Sequence, residues 1–140
     1  MILLDANILI YASAPETPQH ATAKEWLDER LNDVPRVGMP WPSLLAFMRI
    51  VANPRLFDAA SLSHAHAQVR SWLALPNTWI PSPTEAHARI LGELLEGERS
   101  HRLVPDAHLA ALALEHGLVM CSSDGDFARF PGLRWENPLR

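Results

Sequence analysis

The sequence predicts an α/β fold, a three-layer α/β/α domain with a mostly parallel central sheet of four to five strands. Three observations carry this. The chain opens on Ile2-Leu3-Leu4, an uninterrupted apolar run of the kind found in strands buried on both faces. Further short apolar runs recur downstream, and stretches with helical apolar spacing separate each from the next. Strands joined through one or two helices imply right-handed crossovers and hence parallel neighbours, with helices on both faces of the sheet. At 140 residues, without internal repeats, low-complexity tracts or linkers, residues 1–140 form a single domain with room for a real core.

Taken in order, the first strand runs into a short helix, Ala6 to Ala12, and then a loop from Tyr11 to Glu16. Thr17-Pro18 has the form of an N-cap followed by proline at the first helical position, so residues 18–32 are expected to be helical, with Ala23, Trp26, Leu27 and Leu31 inward. Arg36 to Pro40 is the second strand. Trp41, Leu44, Leu45, Met48 and Val51 form the next apolar stripe, stopped at Asn53-Pro54. Ser61 opens a helix with Leu62, Ala65, Val69, Trp72 and Leu73 toward the core, and Thr78 to Pro81 is the third strand. Thr84 caps a helix carrying Ile90, Leu91, Leu94 and Leu95; a polar connection, residues 98–104, follows it. The Ala- and Leu-rich segment Pro105 to His116 reads as a buried helix ended by Gly117. Leu118 to Cys121 is the fourth strand, a short helix starts at Phe127, and Leu133 to Trp135 is a fifth, edge strand.

Composition narrows the function classes. Hydrophobic residues make up 48% and charged residues 20%, an ordinary globular balance. No apolar run is long enough to span a bilayer, and nothing at the N-terminus has the form of a signal peptide. Cys121 is the single cysteine, which fits a reducing cytoplasm and is assigned no chemistry. The net charge of −4 gives no general attraction to nucleic acid, but an acidic pocket that holds cations inverts its own local charge.

Four aspartates stand out. Asp5 ends the first strand, where open α/β sheets bind ligands, although it would also cap the helix that follows. Asp106 lies in the first turn of a helix with no other acid until Glu115, where it would also complement the helix dipole. Asp124 and Asp126 follow the fourth strand in an Asp/Gly turn, and so reach the same sheet edge as Asp5. Acids from two strand ends and one helix start can converge in one crevice. Hard oxygen donors of this type suit Mg²⁺ or Mn²⁺. Carboxylates forced together raise one another's pKa unless a cation lies between them. Asn7 is placed to orient a ligand or a water beside Asp5.

These residues resemble a family. Asp5-Ala6-Asn7 after an apolar strand, Pro105-Asp106-Ala107-His108 before Glu115-His116-Gly117, and Ser123-Asp124-Gly125-Asp126-Phe127 are similar to PIN-domain ribonucleases, and more narrowly to VapC toxins of bacterial toxin–antitoxin pairs. Trp41-Pro42-Ser43-Leu44-Leu45 with Asn53-Pro54-Arg55 is similar to one VapC subgroup. The resemblance spans essentially the whole chain. It implies a PIN domain in which Asp5, Asp106 and Asp124 are catalytic metal ligands for Mg²⁺ or Mn²⁺, with Asp126 close by and bound through water. It also implies RNA cleavage by metal-activated water, a VapB-type antitoxin whose tail fills the groove, and a homodimer. One departure is Ala46, where most PIN nucleases carry a glutamate three residues before an arginine, here Arg49. Ser43 is one turn earlier and offers a hydroxyl instead.

Two alternatives stand beside this. A degenerate PIN module would bind RNA or protein without catalysis, and a small-molecule phosphatase or receiver-like domain would need an acceptor Asp or Lys pattern that the chain lacks. Arg49 and Arg129 are the candidate phosphate contacts, each near a motif. The seven histidines do not make a zinc site: His64 and His66 are two apart, and helical residues at that spacing face different ways. Trp26, Trp41, Trp72 and Trp79 fall on periodic or strand positions and read as core. No glycine-rich phosphate loop or G-x-S-x-G elbow occurs.

Overall fold

The computed structural model describes residues 1–58 and 61–140. Strands β1 (Ile2–Leu4), β2 (Val37–Gly38), β3 (Thr78–Trp79), β4 (Val119–Cys121) and β5 (Trp135–Glu136) form one sheet in the order β3-β2-β1-β4-β5. Every pairing is parallel, so the expected mostly parallel sheet is parallel throughout the described residues. β1 is central because its residues are apolar on both sides. Ile2 and Leu4 face one core with Val37, Met39 and Cys121. Leu3 faces the other with Leu118 and Met120. This is the pleat alternation acting on a run with no polar residue to expose. The first core is closed by α1 (Ala6–Ser13), α2 (His20–Asp33), α3 (Trp41–Val51) and α4 (Leu62–Leu73), and the second by α5 (His87–Leu95) and α6 (Val104–His116). Three layers result, as expected. Among the described residues no helix is long and apolar enough to cross a membrane.

Glycine has a positional role in β2. A Cβ on Gly38 would stand 3.3 Å from the Ile2 carbonyl oxygen and 3.3 Å from the Pro81 ring, so a side chain there would require these neighbours to give by a few tenths of an ångström. At the end of α6, Gly117 adopts φ 67°, and the Leu118 N–H returns to the Ala113 carbonyl at 2.8 Å. The left-handed cap read from His116-Gly117 is present.

Several boundaries differ from the sequence expectations. α1 continues through Ser13, so Tyr11 to Ser13 are helical rather than loop. α2 begins at His20, because the Thr17 hydroxyl is spent on the Ala14 carbonyl (2.8 Å) in a preceding turn; Thr17 is no cap and Pro18 is not helical. α5 begins at His87; the Thr84 hydroxyl accepts from the Ala86 N–H at 3.2 Å in the turn just before it while donating to Glu115 of α6, so the cap chemistry read at Thr84 is present but acts on the turn that leads into the helix. The polar connection before α6 holds a 3₁₀ turn, His101–Leu103, and the helix expected from Phe127 is a 3₁₀ turn, Gly125–Arg129. β5 starts two residues and ends one residue later than expected, and it is an edge strand.

The face of α3 is the largest correction. Ser43, Leu44 and Phe47 point inward, while Trp41 and Leu45 are 45% and 55% exposed. The Ser43 hydroxyl donates to the Leu4 carbonyl at 2.7 Å, which turns this serine, and with it Leu44 and Phe47, toward β1. Trp41 is therefore not core, although Trp26 and Trp72 are. Leu62, also assigned inward, is 71% exposed in the first turn of α4, after the Ser61 cap whose oxygen accepts from the His64 N–H.

Phe47 is 1% exposed and meets the Trp72 ring edge-on, with centroids 4.9 Å apart. Phe47→Ala is expected to lower stability by about 3–5 kcal/mol, while Leu45→Ala, two positions away on the exposed face, stays within about 0.5 kcal/mol. Urea unfolding of the two variants checks which face of α3 is buried.

Candidate metal centre

The site is built from the register of β1 and β4. Leu4 pairs with Cys121, and the Asp5 N–H extends the ladder one step to the Cys121 carbonyl at 3.0 Å. Asp5 and Ser122 therefore leave the sheet side by side. Asp5 is extended (φ −80°, ψ 157°), and its Oδ1 accepts from the Ala6 N–H at 2.8 Å, capping α1. Its Oδ2 accepts from the Ser122 hydroxyl at 2.7 Å. The cap and the crevice position, alternatives in the sequence, are held by one carboxylate.

Ser122 was not singled out by sequence, yet it is the hub. It is fully buried, donates to Asp5, and accepts from Asn7 Nδ2 and from the Asp124 N–H, both at 3.0 Å. That uses the full capacity of a hydroxyl. The signal available in sequence was small: a serine directly after a buried strand, where Asp124 drew the attention. Asn7 is spent in the same network. Its Nδ2 serves Ser122, with Asp5 Oδ2 at 3.5 Å, and its Oδ1 accepts from the Ser123 N–H at 3.3 Å. It braces the β4 exit and, through Ser122, aims Asp5.

Asp124 caps the 3₁₀ turn, Oδ1 accepting from the Asp126 N–H at 2.9 Å. Asp106 stands in the first turn of α6. Carboxylate oxygens of Asp106, Asp124 and Asp126 all lie within 4.8 Å of one another. Asp5 falls outside that trio and is set deeper, but its charge still acts on Asp106. Burial, then the charges of Asp124, Asp5 and Asp126, push the Asp106 carboxyl up to about 6. Burial also raises Asp5, against the hydrogen bonds from Ser122 and Ala6 and with help from Asp124. Four carboxylates without a compensating cation are the arrangement that a hard divalent ion neutralises, and the all-oxygen donor set fits Mg²⁺ or Mn²⁺.

Other sequence candidates lie elsewhere. Ser43 is 1% exposed and committed to Leu4, so it offers no hydroxyl to the crevice, and Ala46 leaves the usual acid position empty of charge. Arg49 is exposed on α3. Arg129 is paired with Glu98 at 2.6 Å. His108 turns away from Asp106 toward α5: its Nδ1 lies 3.0 Å from His87 Nε2, and His87 Nδ1 lies 2.5 Å from Glu115 Oε2. The Glu115 side chain is 1% exposed, and its other oxygen accepts from the Thr84 N–H and hydroxyl. Burial works against the Glu115 charge, but the bonds from Thr84 and His87 prevail and lower its pKa. This network ties α5 to α6. Its members are far apart in sequence, so no local pattern announced it. Cys121 is buried and its thiol is pushed up to about 12 by burial first, consistent with an inert core residue.

Because the Asp106 carboxyl lies near 6 in the fold against 3.8 ordinarily, its protonated form stabilises the fold below about pH 4, and this contribution is lost as pH rises through 6. Asp106→Asn is therefore expected to raise the melting temperature of metal-free protein at about pH 7.5 and to change it little at about pH 3.5. The gain is modest, since Asp106 is only half-buried and water screens it. Thermal melts in EDTA at the two pH values check the sign; a collapse at both would make Asp106 a structural cap.

The PIN domain family matches residues 2–133. Ribonuclease VapC37 of Mycobacterium tuberculosis is 43% identical over 141 residues, covering 99% of this chain and 97% of that protein. Among solved structures, VapBC2 from Rickettsia felis, bound to a DNA fragment from its promoter, superposes with a TM-score of 0.71 at 18% identity and covers 98% of both chains. A toxin–antitoxin complex from Klebsiella pneumoniae gives 0.66 at 22% identity, covering 99% of this chain and 98% of that one. At these identities the structural likenesses speak for the fold. The sequence match extends over nearly the full length, and the chain belongs to the PIN domain family.

Proposed function

We propose that this chain is a Mg²⁺- or Mn²⁺-dependent endoribonuclease, the toxin of a VapBC-type pair, cytoplasmic, homodimeric and silenced by a VapB-type antitoxin. The observation that carries this is the meeting of Asp106, Asp124 and Asp126 within 4.8 Å, above a deeper Asp5, in a family whose relative is named a ribonuclease. Asp106, Asp124 and Asp126 would hold the ion, with Asp5 behind them. A divalent ion bound there supplies an activated water and polarises a phosphoryl oxygen.

The chain's own residues do the rest. Ser122 and Asn7 fix the Asp5 carboxylate, and the Asp124 cap fixes the 3₁₀ turn that presents Asp126. Burial and mutual repulsion leave Asp106 holding its proton up to about pH 6, so ion binding displaces that proton and is favoured at higher pH. Arg49 and Arg129 are the candidate contacts to RNA phosphates, Arg49 exposed on α3 and Arg129 now held by Glu98. An antitoxin arginine would fit the same acids as a charge-assisted, bidentate pair; the R. felis structure is of VapBC2 with promoter DNA, and the K. pneumoniae structure is a toxin–antitoxin complex.

Ala46 favours a second reading, a PIN module that binds without cutting, because one usual acid is missing and Ser43 does not replace it. The two differ in measurable ways. Antitoxin-free protein is expected to cleave RNA with Mg²⁺ or Mn²⁺, to stop in EDTA, and to be inactive as Asp5→Asn; cleavage that survives both treatments rejects the mechanism. By calorimetry, Ser122→Ala is expected to weaken Mn²⁺ binding about 10–100-fold, as loss of a residue that orients a ligand does. Absence of Mn²⁺ binding to the native chain would favour the non-catalytic module.

A further inference from the structure

Arg129 and Glu98 form an ion pair beside the segments that carry the acids. Asp124 caps the 3₁₀ turn Gly125–Arg129. In a 3₁₀ helix residues three apart eclipse, rising about 6 Å over one turn. Asp126 and Arg129 therefore project from one face, and Asp126 belongs to the acidic trio. Arg129 Nη2 donates to Glu98 Oε2 at 2.6 Å. Glu98 follows α5, in the segment that leads through the 3₁₀ turn His101–Leu103 to Asp106. One ion pair thus spans the two segments that bring the acids together, with the Arg129 side chain 48% exposed and that of Glu98 20% exposed.

Several other arginines are engaged away from the acids: Arg134 on the Gly117 carbonyl, and Arg30, Arg36 and Arg140 over Trp26, Trp79 and Trp135. An RNA phosphate approaching a crevice of carboxylates in a chain of net charge −4 needs a local cation. We propose that Arg129 is the phosphate anchor of this site and that Glu98 holds it in reserve, releasing it when an RNA backbone phosphate arrives. This rests on the RNA-cleaving function proposed above and adds a residue that restrains it. A partly exposed ion pair is cheap to exchange, and the guanidinium fork matches phosphate at least as well as carboxylate. Until exchange, the Arg129 charge is spent on Glu98.

Fluorescence anisotropy of a labelled polyuridine oligonucleotide, in EDTA so that no cleavage intervenes, tests the exchange. E98Q is expected to tighten binding about two- to fivefold, the scale of one partly exposed ion pair. R129Q is expected to weaken it comparably and to flatten the dependence of log K on log salt by about 0.7, one single-strand phosphate contact. R129K retains part of the affinity, and the double variant E98Q/R129Q matches R129Q. The proposal is overturned if E98Q binds like the native protein or more weakly, if R129Q keeps the native salt slope, or if no variant binds. It is also overturned if E98Q melts well below the native protein, since the pair is then a strap and not a restraint. EDTA-sensitive cleavage is a separate measurement, so the nuclease function and the restraint can fail independently.

Discussion

Parallel pairing of β1 with β4 puts Leu4 level with Cys121, and the next residue of each strand then has nowhere to go but the same edge. Those residues are Asp5 and Ser122, 2.7 Å apart through a hydroxyl that is fully buried and fully bonded. From this contact the acidic site extends outward. Asn7 closes onto Ser122 from α1, the Asp124 N–H closes onto it from the β4 exit, and Asp124 in turn caps the segment that carries Asp126. A shift of one residue in register would send Asp5 to the opposite face of the pleat and break the whole chain of bonds.

The site runs against the stability of the fold that carries it. Burial and three neighbouring carboxylates hold Asp106 near 6, which at neutral pH is an unfavourable charge kept in place by the rest of the molecule. α6 is positioned for this by two unrelated devices. Its alanines, among them Ala107, Ala110, Ala111 and Ala113, are buried and small enough for close packing. Its far end is tied to the start of α5 by Glu115, which receives Thr84 and His87. Strain at one end of the helix is matched by a fully satisfied buried carboxylate at the other.

The crevice is also uneven in its support. The side of the sheet beneath α3 offers no acid, because Ala46 stands where one is usual and Ser43 is consumed by the Leu4 carbonyl. The acids therefore come from β1, the start of α6 and the β4 exit. The ion pair Arg129–Glu98 joins the β4 exit to the segment that leads into α6. Charge balance in this region depends on what occupies the crevice.

Much of this was written locally in the chain. The run Ile2-Leu3-Leu4 fixed a central strand, because no polar residue interrupts it. Gly117 fixed a helix end, because its left-handed φ is costly for other residues. Asp5, Asp106, Asp124 and Asp126 were legible because acids at two strand ends and one helix start fall at one edge of a parallel sheet, although each also suits a cap or turn. What the sequence alone left undecided is what depends on partners distant in the chain. Trp41 and Leu45 fit a helical stripe as well as Ser43 and Phe47 do, and only the bond from Ser43 to Leu4 decides which face turns in. Thr17 and Thr84 have the chemistry of caps, but the Thr17 hydroxyl is turned to the Ala14 carbonyl, and Thr84, which accepts from the Ala86 N–H, also donates to the distant Glu115. Ser122 is unremarkable in sequence and central in space, because Asp5 and Asn7 reach it only when two strands 117 residues apart lie side by side. Periodicity and composition determined the layers and named the acids; long-range hydrogen bonds, which leave no local trace, decided how those acids are held.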